Sequence, residues 1–230
     1  MEVLDFIFPK RCVICKKGGG YLCEKCFSYL SFDAKSLCLS CDKPSYNGLT
    51  HPICRKKYTI DGCFSALSYN RTAKKLIYSF KYKPYLVDLK VFISELFYES
   101  VIQKEEFMKL LNSSKWIIVP VPLSSGKLRK RGYNQAEILA KKLAEKFDLE
   151  EKNLLKKTKE TKTQIKLGKA ERAENIKEAF EIANDKWQIT NKNILLVDDV
   201  VTSGATLLEA AKILKKQGAK KVIGLTLARD

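Results

Sequence analysis

The stretch ILLVDDVVTSGATL, residues 194–207, decides how the chain is read. Its apolar run, Ile194 to Val197, has the length and composition of a buried strand, so Asp198 and Asp199 are expected to emerge at the strand's carboxyl end. Open α/β sheets bind their ligands there. The loop Val200-Val201-Thr202-Ser203-Gly204-Ala205-Thr206 then turns into a helix. Its exposed amides and the hydroxyls of Thr202, Ser203 and Thr206 form a cup for a phosphate, and Gly204 lets the backbone come close. Two acids beside such a cup cannot themselves hold phosphate, because like charges repel. They must face something neutral or cationic, and sugar hydroxyls with magnesium nearby meet that requirement.

Outward from this stretch, strand and helix patterns alternate. CFSALSY, WIIVPVP, KNILLVDD and KKVIGLTLA read as strands. RTAKKLIYSFKYK, LVDLKVFISELFYESVIQ, NQAEILAKKLAEKF and ATLLEAAKILKKQ read as helices, the third opened by Asn134 as N-cap and the last stopped by Gly218. Residues 150–178 are polar and weakly periodic. This alternation predicts an α/β fold, a parallel sheet with flanking helices, over residues 63–230.

Residues 1–62 form a separate unit. Cysteines and the single histidine run in series as Cys12-x-x-Cys15, Cys23-x-x-Cys26, Cys38-x-x-Cys41 and His51-x-x-Cys54, with Cys63 left over as a buried thiol. A two-residue spacer lets one turn aim both ligands at a soft cation, so the series predicts a small double zinc ribbon with two structural zinc ions. Nearest-in-sequence grouping puts Cys12, Cys15, Cys23 and Cys26 on one ion and Cys38, Cys41, His51 and Cys54 on the other, although crossed pairing satisfies the same spacing. Disulfides and an iron–sulfur cluster are the alternatives; the first suits an oxidising compartment and the second a different cysteine spacing. So small a segment cannot bury enough surface to fold by itself, and the metal supplies the missing free energy.

Composition narrows the function. The chain has 230 residues, 45% of them hydrophobic, enough for a sizeable core, and no run of apolar residues approaches the roughly 20 that a membrane helix needs. MEVLDFIFPK lacks the early positive charge of a signal peptide, so a cytoplasmic protein without membrane insertion is expected. The net charge is +17, densest over residues 113–183 with 17 basic against 10 acidic side chains, a field that favours polyanions. In KKLIYSFKYKPY (74–85), Lys74, Lys75 and Lys81 interleave with Tyr78 and Tyr82, the mixture that neutralises a backbone and stacks bases of single-stranded DNA. Leu76, Ile77 and Phe80 also fall at core spacing, so an ordinary amphipathic helix explains the same residues.

Residues 194–206 resemble the signature of type I phosphoribosyltransferases, which bind phosphoribosyl pyrophosphate with magnesium. Together with the cysteine series, VPVPLSSGKLRKRGYNQAEILAKKLA and TKTQIKLGKAERAENIKEAF, the whole chain is similar to the ComF family, associated with natural competence and DNA uptake. Matching points include Pro120, Pro122, Arg131, Gly132, Asn134 and Gln135, then Thr161, Gln164, Leu167, Arg172, Asn175 and Phe180. The resemblance implies that Pro122, Leu123 and Ser124 belong to a loop whose backbone contacts pyrophosphate, with Lys127, Arg129 and Arg131 as the nearest cations. It implies a lid over residues 156–175, with Arg172 facing the leaving group, and catalytic roles for Asp198 and Asp199. Single-stranded DNA and a competence helicase or other uptake protein are the implied partners. Departures from the family pattern are His51, where a cysteine is more usual, and Glu178, where a glycine often precedes Ala-Phe.

Overall fold

A computed structural model describes residues 10–160, 168–183 and 187–230. Thr161, Gln164 and Leu167 of the expected lid lie outside the described residues. Among the described residues, the N-terminal segment carries a short helix, α1 (Glu24–Phe27), and 3-10 turns at Tyr46–Gly48 and Pro52–Cys54. Then follow β1 (Gly62–Ser68), α2 (Arg71–Tyr82), α3 (Val87–Ile102), α4 (Glu105–Asn112) and β2 (Trp116–Pro120). Next come α5 (Ser125–Arg131), α6 (Gln135–Phe147), β3 (Glu150–Glu151), β4 (Leu155–Lys157) and α7 (Lys169–Ile176). The chain finishes with β5 (Phe180–Ile182), β6 (Asn193–Val201), α8 (Ala205–Lys216) and β7 (Lys221–Arg229).

Five strands form one sheet in the order β1-β7-β6-β2-β3, every described pair parallel, while β4 and β5 make a separate antiparallel pair. Parallel neighbours require crossovers, which the helices provide, and they leave both sheet faces covered. One face buries Leu67, Ile118, Leu195, Ile223 and Leu225 against α2, α3 and α6. The other buries Val119, Ile194, Leu196 and Val222 against α8 and the β4–β5 pair. The predicted α/β architecture is therefore the observed one.

Local chemistry explains the helix starts. The Asn70 side chain accepts hydrogen bonds from the Thr72 and Ala73 amides at 3.0 Å each, and Asn134 accepts one from Ala136 N at 3.2 Å. Gly218 follows α8 at φ 90°, where a side chain would be strained. In α2 the residues Ala73, Leu76, Ile77 and Phe80 are buried, as their spacing predicts.

Two boundaries differ from the sequence reading. The acids do not mark the end of β6: Val200 and Val201 continue the strand, paired with Ala228 and Arg229 of β7. The loop is therefore only Thr202 to Gly204, and Ala205 and Thr206 already belong to α8. The strand runs on because β7 reaches Arg229 and satisfies the extra backbone groups, a partner that a local pattern does not reveal. Short elements α4, α5, β3, β4, β5 and α7 were not legible either; none is long enough to display a period.

Glu178 sits at φ 53°, in the left-handed region. The family's usual glycine suits that conformation, whereas an L side chain is strained there. The Glu178 amide donates to Glu209 Oε1 at 3.0 Å, a bond that does not need the side chain. Glu178→Gly is expected to stabilise the protein by about 0.5–1 kcal/mol, seen as a rise of a few degrees in melting temperature. A fall would show that the exposed Lys159–Glu178 pair outweighs the backbone strain.

Candidate functional site

The side chains of Asp198 and Asp199 leave β6 on alternate faces. Asp199 is buried and its Oδ1 lies 2.8 Å from Lys81 Nζ. Asp198 Oδ1 accepts the Asp199 amide at 2.8 Å. Burial and then the neighbouring Asp199 charge push the Asp198 carboxyl up to about 7, while the Asp199 amide, Lys81 and Lys157 pull the other way. The site thus pairs one acid with the Lys81 side chain and leaves the other well above the usual carboxylate range.

Lys81 was grouped by sequence with a nucleic-acid face. It instead turns into the site from the last turn of α2, a correction that follows from the helix's position over the β6 carboxyl end. Lys74, Lys75, Tyr78 and Tyr82 do lie on the exposed side of that helix, with the Tyr78 and Tyr82 rings 4.8 Å apart. A groove of about 540 Å³ continues this face between the first cysteine cluster and the start of α2, bounded by Lys25, Tyr29, Arg71 and Lys75. Lys25, Tyr29 and Arg71 carry no sequence signal, since they meet only in the tertiary fold.

A carboxylate fills the expected anion position. Glu160 accepts hydrogen bonds from Ser124 Oγ at 2.8 Å, Ser125 Oγ at 3.2 Å and Gly126 N at 2.6 Å. The Gly126 amide first, then Ser124, hold its pKa below the ordinary value. Lys127 stands within the electrostatic reach of Arg131, Glu160, Lys81 and Asp198, and its pKa is lowered by burial and then by Arg131. Lys157 of β4, overlooked in the sequence, is brought to the same place: burial and then Lys127 push its ammonium down to about 8. Ser124 thus meets Glu160 directly, while Lys127 and Lys157 both feel the charges of Glu160 and Asp198.

Of the remaining expected residues, Pro122 and Leu123 connect β2 to α5 and are partly exposed. Arg131 donates to Gln135 Oε1 at 2.7 Å and lies 5.3 Å from the Tyr82 ring centre, joining the site's rim to the aromatic face. Arg172 is in α7 and partly buried. Thr202, Ser203 and Thr206 are partly exposed where β6 passes into α8, and the first amides of α8 have no intrahelical carbonyl to meet.

The cysteine series closes into the nearest-in-sequence pairing. Ligand atoms of Cys12, Cys15, Cys23 and Cys26 lie within 4.8 Å of one another, as do those of Cys38, Cys41, His51 and Cys54. Cys15 and Cys23 sulfurs are 3.6 Å apart, and Cys41 Sγ is 3.3 Å from His51 Nδ1. Tetrahedral zinc with bonds of about 2.0–2.3 Å sets ligand edges of about 3.3–3.8 Å, so both sets fit that ion. His51 Nε2 lies 3.0 Å from Pro44 O; donation there leaves Nδ1 with its lone pair for the metal. The two turns share one geometry: Cys12 N bonds Lys17 O and Lys16 N bonds Cys12 O, as Cys38 N bonds Lys43 O and Asp42 N bonds Cys38 O. Burial opposes ionisation of Cys12, but the amides of Cys15, Cys23 and Ile14 turned on its sulfur more than offset it and hold the thiol at about 6. Such preformed N–H···S geometry favours the thiolate a zinc ion needs.

The family models described as "Phosphoribosyl transferase domain" and "Double zinc ribbon domain" match residues 128–230 and 3–56. The chain is thus a double zinc ribbon joined to a phosphoribosyltransferase domain, with the paired acids at the carboxyl edge of the latter's sheet. This pairing of the two domains is the one that the resemblance to the ComF family implies. The chain is 28% identical over 233 residues to Competence protein ComFC of Bacillus subtilis, covering 96% of this chain and 89% of that protein. Over 113 residues it is 40% identical to Competence protein F of Haemophilus influenzae, 49% of each chain. The match to DNA utilization protein YhgH of Escherichia coli is 33% identical and covers 46% of this chain and 45% of that one. The chain therefore spans about half the length of the Haemophilus and Escherichia relatives. Among the described residues no helix is long and apolar enough to cross a membrane.

Proposed function

We propose that the protein binds phosphoribosyl pyrophosphate with magnesium at the β6 carboxyl edge and serves in the handling of DNA taken up during competence. The observation that carries the ligand is the arrangement of charges inside the site. An internal carboxylate, Glu160, rests on the serine hydroxyls and amide assigned to the pyrophosphate, and an internal ammonium, Lys81, rests on the acid assigned to sugar and metal. Each internal group has the sign of the ligand part it would give way to. Lys81, Lys127 and Lys157 then supply the positive field for a diphosphate.

In this reading Asp198 and Asp199 accept hydrogen bonds from the ribose hydroxyls, and the loop Thr202 to Thr206 holds the sugar's own phosphate by its amides and hydroxyls. That Asp199 already accommodates a cation at 2.8 Å supports a place for magnesium, which when bound neutralises the diphosphate and eases its departure. Phosphoribosyl transfer to a nitrogenous acceptor follows as the reaction of the domain, with Arg172 and the residues around it excluding water. The competence role is carried over from the names of the Bacillus and Haemophilus relatives.

The exposed Lys74, Lys75, Tyr78 and Tyr82, continued by Lys25, Tyr29 and Arg71, support a second reading: single-stranded DNA held on this face, with the sugar-phosphate site regulatory. A competence helicase or other uptake protein is the fitting partner in either case. Calorimetric titration of phosphoribosyl pyrophosphate with magnesium into the protein, with and without single-stranded DNA, tests both. The first reading expects metal-dependent saturable binding and release of pyrophosphate on adding an acceptor. The second expects DNA affinity that falls steeply with salt and no pyrophosphate release across a broad acceptor panel. Absence of metal-dependent binding at millimolar ligand would remove the site assignment altogether.

A further inference from the structure

The second cysteine cluster touches the sugar-phosphate site. Leu39 stands between the ligands Cys38 and Cys41, is 2% exposed, and shares its apolar cluster with Val201, Ala205 and Leu207. A Cβ added at Gly204 would lie 3.0 Å from Leu39 Cδ2 and 3.4 Å from its Cβ, and Gly204 itself is at φ 74°. The glycine of the phosphate loop therefore serves the approach of the cysteine turn beneath it as well as any approach of a ligand above.

A second set of bonds ties the same turn to the same strand ends. Arg229, 4% exposed, donates to Leu37 O at 3.2 Å and reaches the Asp42 carboxylate at 3.5 Å. Arg229 is paired in register with Val201, and the Asp230 amide donates to Val201 O at 3.0 Å. Asp42, at φ 63°, is the left-handed residue that closes the Cys38–Cys41 turn. The Cys38, Cys41, His51 and Cys54 cluster meets this turn from one side and Arg229 from the other. The first cluster differs, since its neighbours Val13 and Leu30 enter the core on the opposite sheet face.

We propose that the Cys38, Cys41, His51 and Cys54 zinc site is a structural prop for the phosphate loop, with Leu39 as the positioning residue through which metal occupancy sets the loop's rigidity and its hold on a sugar phosphate. A four-ligand site without an open position does no chemistry itself, but it dictates the conformation of its turn. Loss of the ion frees the turn, withdraws Leu39 from under Gly204 and lets the amides of residues 201–206 open. The first site does not have this effect.

The ligand half of this proposal rests on the phosphoribosyl pyrophosphate reading above; the loop half does not, and two readouts keep them apart. Full-length wild-type protein, Leu39→Ala, Leu39→Val, Cys41→Ser and Cys15→Ser are compared by zinc content, by amide hydrogen exchange over residues 201–206, and by titration with phosphoribosyl pyrophosphate and magnesium. Leu39→Ala is expected to keep both zinc ions while its loop amides exchange about tenfold faster and its Kd rises about tenfold, with Leu39→Val in between. Cys41→Ser should lose one zinc and match Leu39→Ala. Cys15→Ser should lose one zinc and leave the loop within about twofold of wild type. Unchanged loop exchange in both Leu39→Ala and Cys41→Ser overturns the proposal, and so does an equal acceleration in Cys15→Ser. If Leu39→Ala does not fold, Leu39→Val against Cys15→Ser decides. If wild type does not bind the ligand, the sugar-phosphate reading fails and the exchange contrast alone decides the prop.

Discussion

Replacing Asp198 by Asn is expected to cost at least a hundredfold in affinity for phosphoribosyl pyrophosphate with magnesium and, at the same time, to make the unliganded protein more stable at pH 8. Both effects come from one cause. Burial and the adjacent Asp199 raise the Asp198 carboxyl from its ordinary 3.8 to about 7. A native pKa above the unfolded one means that the folded chain holds this proton more tightly. The associated stability is therefore present below the unfolded pKa, declines as pH rises from about 4 to about 7, and is gone above that. Asn removes the charge but keeps an oxygen for the Asp199 amide, so the variant avoids the penalty without losing the 2.8 Å hydrogen bond. The gain should be about 1–3 kcal/mol at pH 8 and close to nothing near pH 4, read from urea unfolding at the two pH values. A variant no more stable than wild type at pH 8 would mean that Asp198 is not held under strain. A variant that still binds ligand would mean that the acids do not touch the sugar.

Removing zinc should have the larger structural effect. Residues 10–61 contribute few fully buried apolar side chains, chiefly Val13, Leu30, Leu39 and Ile60, and are otherwise held by turns. Structural zinc in such peptides is worth about 10–16 kcal/mol per site near neutral pH, far above what this small apolar set provides. The purified protein should contain two zinc ions per chain, one for each four-ligand cluster. A strong chelator should abolish amide protection over residues 10–61 and lower the melting temperature of the rest. His51→Ala should lose one zinc while Cys12, Cys15, Cys23 and Cys26 keep theirs; His51→Cys, which restores the family's more usual ligand, should retain both. Protection of residues 10–61 that survives complete chelation would show that packing, not the metal, holds the ribbons.

The departures at His51 and Glu178 show how far a residue pattern carries before coordinates are needed. His51 was legible from spacing alone as the fourth member of the second cluster, because two-residue turns satisfy that local constraint by themselves. Which nitrogen faces the cluster was not legible, since the Nε2 contact with Pro44 O belongs to the folded turn. Glu178 looked like a mere substitution; its left-handed backbone gives the reason a glycine suits the position. Lys81 was misplaced for a similar cause. An amphipathic helix predicts which of its sides is buried, yet not that its last turn overhangs the end of another strand.

Local chemistry thus determined most of this protein from its sequence: the metal turns, because ligand spacing is a short-range geometric condition; the parallel α/β layout, because buried strands and amphipathic helices have their own periods; and the acid pair followed by a hydroxyl-rich loop, because those residues are contiguous. Only the tertiary structure decided what reaches that loop from elsewhere. Lys81 on Asp199, Glu160 on Ser124 and Gly126, and Leu39 against Gly204 are all contacts between segments far apart in the chain. No period or spacing encodes them. They exist because the sheet order β1-β7-β6-β2-β3 carries the ends of separate strands and helices to one edge, where charge and shape are settled by packing and not by sequence neighbours.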